Sequence, residues 1–305
     1  MITPHSFEVD LSISKPQSST KESSRPTKMK KTYIISSLIA LSSFANAQSS
    51  APISKADKAN KASIERLKVI RTKFSNLPEA QRVKYLGLLS EAAQLFKNKR
   101  IFETLELIRQ MEDIFKKNPQ ALNLKGACQV ELRNFKAART IFKEAVELAG
   151  PTSNVVFNLA EIDFVTDNWA SAIKQFEQVL ELSNANQVTL INLVNFKVLL
   201  CHIKLAEDKS LTKEKRAEHK SFISEYSKKV DKFEDSPYFY YANAAKFYYE
   251  GDKTKADQLL ASVRRIYSQS NALLASWEDT LVEFGYIKSY LADDENSDII
   301  PSTPQ

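Results

Sequence analysis

Imidazole and thiol groups, the usual carriers of nucleophilic and acid–base chemistry, are scarce in this chain. There are three histidines (His5, His202, His219) and two cysteines (Cys128, Cys201) in 305 residues. Cys201 beside His202 would pair a nucleophile with a base. In a helix, however, adjacent residues project about 100° apart and do not face each other. His219 lies in a charged segment where a solvated imidazole is expected, and His5 lies in the leader. No HExxH, CxxC, GxSxG or phosphate-loop pattern occurs. Glu161 and Asp163 carry carboxylates, but no spacing marks them as a working acid–base pair. The expectation is a chain with no catalytic residues, no metal ligands and no cofactor.

The elements that would position any site follow from composition and internal similarity. Only 5 glycines occur, against 43% hydrophobic residues. Strand-rich folds and phosphate cradles spend glycine on tight turns, so this composition points to helices joined by short turns. Two adjacent stretches then align at a 34-residue spacing, Pro119 to Thr152 with Ser153 to Asn186. Gly126 matches Ala160, Asn134-Phe135 matches Asn168-Trp169, Ala138 matches Ala172, Phe142 matches Phe176 and Ala145 matches Val179. Each unit reads as two antiparallel helices. Small residues let them approach, a phenylalanine fills the wedge to the next unit, and an asparagine sits at the turn, tolerating or capping the bend.

This order of small and large positions resembles the tetratricopeptide repeat family. Lys125 stands where the family has Leu, and Gly150 and Asn184 stand where it has a terminal Pro. The template also fits 237–270, with Ala244, Gly251-Asp252, Ala256 and Leu260 in place. It fits 85–118 more loosely, keeping Ala92, Ile108 and Met111 but with Thr104 where Ala is usual. Residues 187–236 depart most and read as one unit with an extended hairpin, a long first helix followed by a charged stretch. Ser54 to Phe74 is expected as an N-terminal helix, and Pro78 at a first helical position starts the next. Ala272 to Leu291, with Leu274, Trp277, Leu281, Phe284 and Lys288 at helical spacing, is expected to cap the last repeat. The fold class implied is all-α, a right-handed superhelical solenoid over 55–291 with a disordered acidic tail at 292–305.

The resemblance also implies where a partner binds. Such arrays use the concave face, lined by the first helix of each unit. The inward positions here include Asn154, Phe157, Glu161 and Phe164 in one unit, Asn195 in the long helix, and Tyr238, Tyr241 and Tyr248 in the last. This apolar and aromatic stripe suits a helix or apolar segment laid in a groove. The family's carboxylate clamp combines Asn with Lys or Arg. Asn158, Asn192 and Asn195 are present, but no Lys or Arg is expected in the partnering positions.

Residues 29–47, MKKTYIISSLIALSSFANA, have the three parts of a bacterial secretory signal. Lys30 and Lys31 form the basic start and Tyr33 to Phe44 an apolar stretch too short to span a bilayer. Ala45-Asn46-Ala47 is the cleavage site, with Gln48 as the first mature residue. Residues 1–28 are Ser-, Pro- and Lys-rich and are expected to be unstructured; either Met29 is the true initiator or the signal has a long basic leader. Residues 48–54 form a linker. No Cys follows the apolar stretch, so no lipid anchor is expected there, and no membrane span is expected in the mature chain. Residues 1–47 hold six of the basic residues and three of the acidic ones, so the net charge of +6 falls to +3 from Gln48 onward. That mixed surface gives no case for a nucleic-acid partner. An oxidising compartment permits a Cys128–Cys201 disulfide, but both fall where a repeat needs a small buried residue.

The expected function is a periplasmic or secreted scaffold or assembly factor of the bacterial envelope, binding a protein or peptide on its concave face. The other reading is an envelope component that self-assembles through the same stripe, as a homo-oligomer. An enzyme is a third reading with no motif behind it.

Overall fold

A computed structural model describes residues 55–229, 236–268 and 271–288. The signal segment, the leader, residues 48–54 and the acidic tail lie outside them. The described residues form twelve helices and no strands. They run α1 (Lys55–Ser75), α2 (Glu79–Lys97), α3 (Ile101–Ile114), α4 (Pro119–Glu131), α5 (Phe135–Ala149) and α6 (Ser153–Val165), then α7 (Trp169–Leu182), α8 (Val188–Glu207), α9 (Lys213–Lys229), α10 (Tyr238–Glu250), α11 (Lys253–Ile266) and α12 (Asn271–Glu283). Helices α2–α3, α4–α5, α6–α7, α8–α9 and α10–α11 pack as hairpins, and successive hairpins stack on one another. The fold is an all-α helical repeat solenoid.

The repeat is written into the backbone. Lys99, Arg133 and Asp167, 34 residues apart, all adopt a left-handed conformation, and Gly251 takes the same place in the last hairpin. At each of these turns the following amide reaches back five residues. Arg100 N–H donates to the Leu95 carbonyl, Asn134 to Gln129, Asn168 to Asp163 and Asp252 to Phe247. This is a Schellman-type ending, which satisfies the orphan carbonyls of the first helix. The bend therefore sits one residue before Asn134 and Asn168. Neither asparagine caps the helix it precedes; Asn134 bonds Gln129 and Asn168 bonds Thr166 instead. Pro78 likewise lies just outside α2, at its N-cap.

The small and wedge positions are buried in every 34-residue unit. Ala92, Gly126, Ala160 and Ala244 line one contact, and Thr104, Ala138, Ala172 and Ala256 the facing one. Ile108, Phe142, Phe176 and Leu260 fill the wedge. A methyl at Gly126 would come within 2.5 Å of the Phe142 ring, so this helix pair needs the missing side chain. Thr104 fits because its hydroxyl donates to the Arg100 carbonyl, 2.8 Å away, leaving only its methyl to pack. Cys128 and Cys201 are free and buried. Burial pushes the Cys128 thiol up to about 12 and raises that of Cys201 as well, so both are inert core groups.

Helix α8 is the one described helix long and apolar enough to cross a membrane, but 67% of its apolar window is buried inside the fold, which makes it a core helix. The charged stretch after it begins with a short turn, where Asp208 accepts from the Ser210 amide, and is helical again from Lys213.

Helix α1 does more than cover the first hairpin. It packs along α5 and α7 as well, and Ser63, Leu67, Ile70 and Phe74 are its buried and half-buried positions. Phe74 meets Tyr85 and Phe115 edge-on at 5.2 and 5.5 Å. At its middle, Ser63 lies directly over Gly150, the C-cap of α5.

Candidate functional site: the inner face

The first helices α4, α6, α8 and α10 bring their side chains to one face. Asn158 on α6 donates to Asn123 on α4 at 2.8 Å, both buried. Glu161 on α6 pairs with Lys197 on α8 at 3.1 Å, and the Lys197 ammonium sits 4.5 Å from the centre of the Phe164 ring. Asn192 donates to Ser236 at the start of the α10 hairpin. Asp163, by contrast, is a structural group. It accepts from Arg139 on α5 and from Ser171 and Gln175 on α7, and so ties three helices together.

Burial raises the Glu161 carboxyl above the usual carboxylate range, and Lys197 pulls it back only in part. Its Oε1 has no hydrogen-bond partner. Lys197 is the inner-face cation that sequence reasoning missed. It stands on α8, the first helix of the unit after that of Glu161, and a linear template gives no signal for a pairing between units.

Helix α12 covers the last hairpin, as expected of a cap, and reaches beyond it. It lies across the inner face. Among the described residues its backbone makes no extended close approach to another helix; large side chains hold it. Trp277 stacks on Tyr241 at 5.6 Å and meets Phe196 at 5.4 Å and Tyr238 at 6.1 Å. Glu278 accepts from the Tyr241 hydroxyl at 3.2 Å and from Arg264 at 2.7 Å. Phe284 stacks on Phe164 at 6.5 Å under the Lys204 ammonium, 4.2 Å from the ring centre. Tyr286 stacks on Tyr248 at 4.9 Å. An apolar stripe of Leu274, Trp277, Leu281 and Phe284 needs a partner surface, and the aromatic inner face offers more of it than the end of α11 does.

The residues expected to bind a partner are therefore brought together, and most are covered by the chain itself. Phe164, Tyr238, Tyr241 and Tyr248 touch α12 or the residues just after it. Phe157 is turned into the core against Phe176, at 5.9 Å. Glu161 is bound to Lys197. Asn154 and Asn195 remain half-buried on the face.

Away from this face, His202 on α8 and His219 on α9 meet with their Nδ1 atoms 2.9 Å apart, and Phe222 stacks on His202 at 3.6 Å. Cys201 takes no part. Burial, with help from His219, lowers His202 to about 4, and burial lowers His219 too. A histidine depressed in the folded state favours folding while neutral. The unfolded chain, with an ordinary value near 6.5, takes up its proton first as pH falls. The stability contributed by this pair is complete above pH 6.5 and is lost as pH falls from 6.5 towards 4. Replacing His202 with Phe should remove that slope: the difference in urea midpoint between wild type and variant should change between pH 7 and pH 4.5, against the wild type at the lower pH. A difference independent of pH would show that the pair does not titrate on unfolding.

No family model matches the chain, and no curated protein matches it. Solved structures are similar to it, two of them as follows. One is a crystal structure of YrrB, described as a TPR protein with an unusual peptide-binding site, at 15% identity and a TM-score of 0.39, covering 71% of this chain and 100% of that one. The other is PilF of Pseudomonas aeruginosa, at 14% identity and a TM-score of 0.45, covering 68% of this chain and 90% of that one.

Proposed function

We propose that this chain is a non-catalytic scaffold or assembly factor that binds a segment of another protein on the inner face of its solenoid. The observation that supports it is the content of that face. An aromatic and apolar surface with one buried ion pair is already shaped to hold a helix, and the helix it holds meets it through large side chains. Such a surface recognises a helix laid in a groove.

The signal over residues 29–47 supports export, with the mature chain starting at Gln48 and working in the bacterial periplasm or outside the cell as part of envelope assembly. Intact mass and N-terminal sequencing of the protein from its producing cell test this. A chain that retains residues 1–28 would overturn it.

A photo-crosslinking side chain placed at Asn195 in the full chain tests the binding face in the producing cell. The expected result is one discrete adduct with a second protein. A second reading, self-assembly, is favoured by the large apolar residues exposed on α1 to α3: Ile64, Val69, Val83, Leu86 and Phe102. The same crosslinker at Phe102 would then give a homodimer, with a concentration-dependent mass by light scattering. Crosslinking from Phe102 alone would overturn the inner-face reading.

A further inference from the structure

We propose that α12 is a displaceable resident of the inner face, holding the place of a partner's carboxyl-bearing amphipathic helix. The proposal rests on the scaffold reading only for the identity of what displaces α12.

Three features argue that α12 is an occupant and not a fixed repeat element. The repeating hairpins are joined by close backbone approach through Ala and Gly, whereas α12 stands off on Trp277, Phe284 and Tyr286. Its docking also leaves polar atoms stranded. Glu283 Oε1 and the Tyr286 hydroxyl have no hydrogen-bond partner, and neither does Glu161 Oε1 beneath them. Each such atom has lost its water with no hydrogen bond in return, so a helix that matched these groups would hold the face better. Finally, the segment covers the residues that the repeat places on the binding side.

The resident also specifies its competitor. Bulky apolar side chains at Leu274, Trp277, Leu281 and Phe284 follow a 3–4–3 spacing, one stripe of an amphipathic helix. Carboxylates flank the stripe. Glu278 bonds Arg264. Asp279 feels Lys99 and Lys197 against Glu278 and Glu131, and Glu283 feels Lys197 and Arg133 against Glu161 and Asp279, and burial raises both carboxyls. The face therefore takes a helix with a bulky apolar stripe and carboxyl groups on its flank, one of them opposite Arg264.

Acidity should tune the exchange. Around Glu283 stand Lys197 and Arg133, which favour its charge, and Glu161 and Asp279, which oppose it. Burial dominates and raises its carboxyl to about 8. A carboxyl raised on docking favours the docked form at low pH, and that advantage is lost as pH rises from 4.5 through 8.

The test uses a fluorescein-labelled synthetic peptide of residues 271–288 against the full chain. Wild type, with α12 in place, should bind it at least about ten-fold more weakly than a Trp277→Ala/Phe284→Ala chain, because apparent affinity scales with the fraction of open face. Hydrogen exchange in α8 and α10 should rise in the double variant. Its affinity for the peptide should increase from pH 8 to pH 5. Equal affinity for both chains, or unchanged exchange in α8 and α10, overturns the proposal.

Should the double variant fail to fold, a chain with a protease site inserted between Ser268 and Asn271 is cut after folding. Labelled peptide should replace the cut fragment on size exclusion, and a fragment that never exchanges overturns the proposal. A double variant that becomes a dimer by light scattering also overturns it, by assigning α12 to a second copy. None of these readouts needs the natural partner. Failure here leaves the crosslinking experiment at Asn195 to judge the scaffold reading separately.

Discussion

Replacing Lys197 with Met should destabilise the chain by about 3–5 kcal/mol, the usual cost of stranding one member of a buried ion pair. Lys197 and Glu161 are 3% and 7% exposed, so neither charge can recover its water when the other is removed. The loss includes the contact of the ammonium with the Phe164 ring. The effect should depend on pH in a known direction. Burial already raises the Glu161 carboxyl, and without Lys197 the attraction that opposes this rise is gone. A carboxyl raised in the folded state contributes stability below its unfolded value near 4.5 and loses it as pH rises. The gap between wild type and Lys197→Met in urea midpoint should therefore be smaller at pH 5 than at pH 8. Adding Glu161→Gln should recover most of the loss, because a neutral pair of similar volume carries no desolvated charge. A single variant as stable as wild type would mean that the pair is solvated and that the inner face is open.

Replacing Gly150 with Ala should cost about 2–4 kcal/mol. The backbone there has φ 85° and ψ 167°, a region essentially confined to glycine, with strain of order 1–3 kcal/mol for any other residue. The added methyl would also lie 2.1 Å from the Ser63 hydroxyl oxygen and 3.3 Å from the Ser63 Cα, so α1 itself would have to move. Hydrogen exchange should show the change concentrated in α1 and the end of α5. A second substitution, Ser63→Gly, should relieve the steric part and leave the backbone strain. If the Gly150 variant melts with wild type and α1 keeps its protection, the contact of Ser63 with Gly150 is not formed in solution. The same geometry accounts for the departure from the repeat pattern at this position: a proline there could not take a positive φ, and a side chain would lift α1 away.

The repeat was legible because its causes are local. A 34-residue spacing of Gly126 with Ala160, Ala138 with Ala172 and Phe142 with Phe176 reports close helix approach and a filled wedge, and those same positions are buried. The loosely matching stretch 85–118 proved to be in register. Thr104 takes the alanine position by turning its hydroxyl back to its own helix, and Lys99 takes the left-handed turn of Arg133 and Asp167. The place of the bend was legible only to within one residue, because a Schellman ending is held by backbone amides that leave little mark on side-chain type. The aromatic stripe of the candidate site was legible too, through Phe164, Tyr238, Tyr241 and Tyr248.

By itself, the sequence determined the helical hairpins, their period and the side that carries the aromatic residues, since each depends on residues near one another in the chain. Tertiary structure alone decided what lies against that side. The spacing of Leu274, Trp277, Leu281 and Phe284 says that α12 has an apolar stripe in need of a surface. It does not say which surface, because the end of α11 and the inner face are both apolar and both within reach. The choice falls to the face where Trp277 can stack on Tyr241, Phe284 on Phe164 and Glu278 on Arg264, contacts that span from α6 to α11 and exist only once the hairpins have curved around them. The pairing of Glu161 with Lys197 and the seating of α1 on Gly150 are decided in the same way, by the stacking of units and not by the pattern within one.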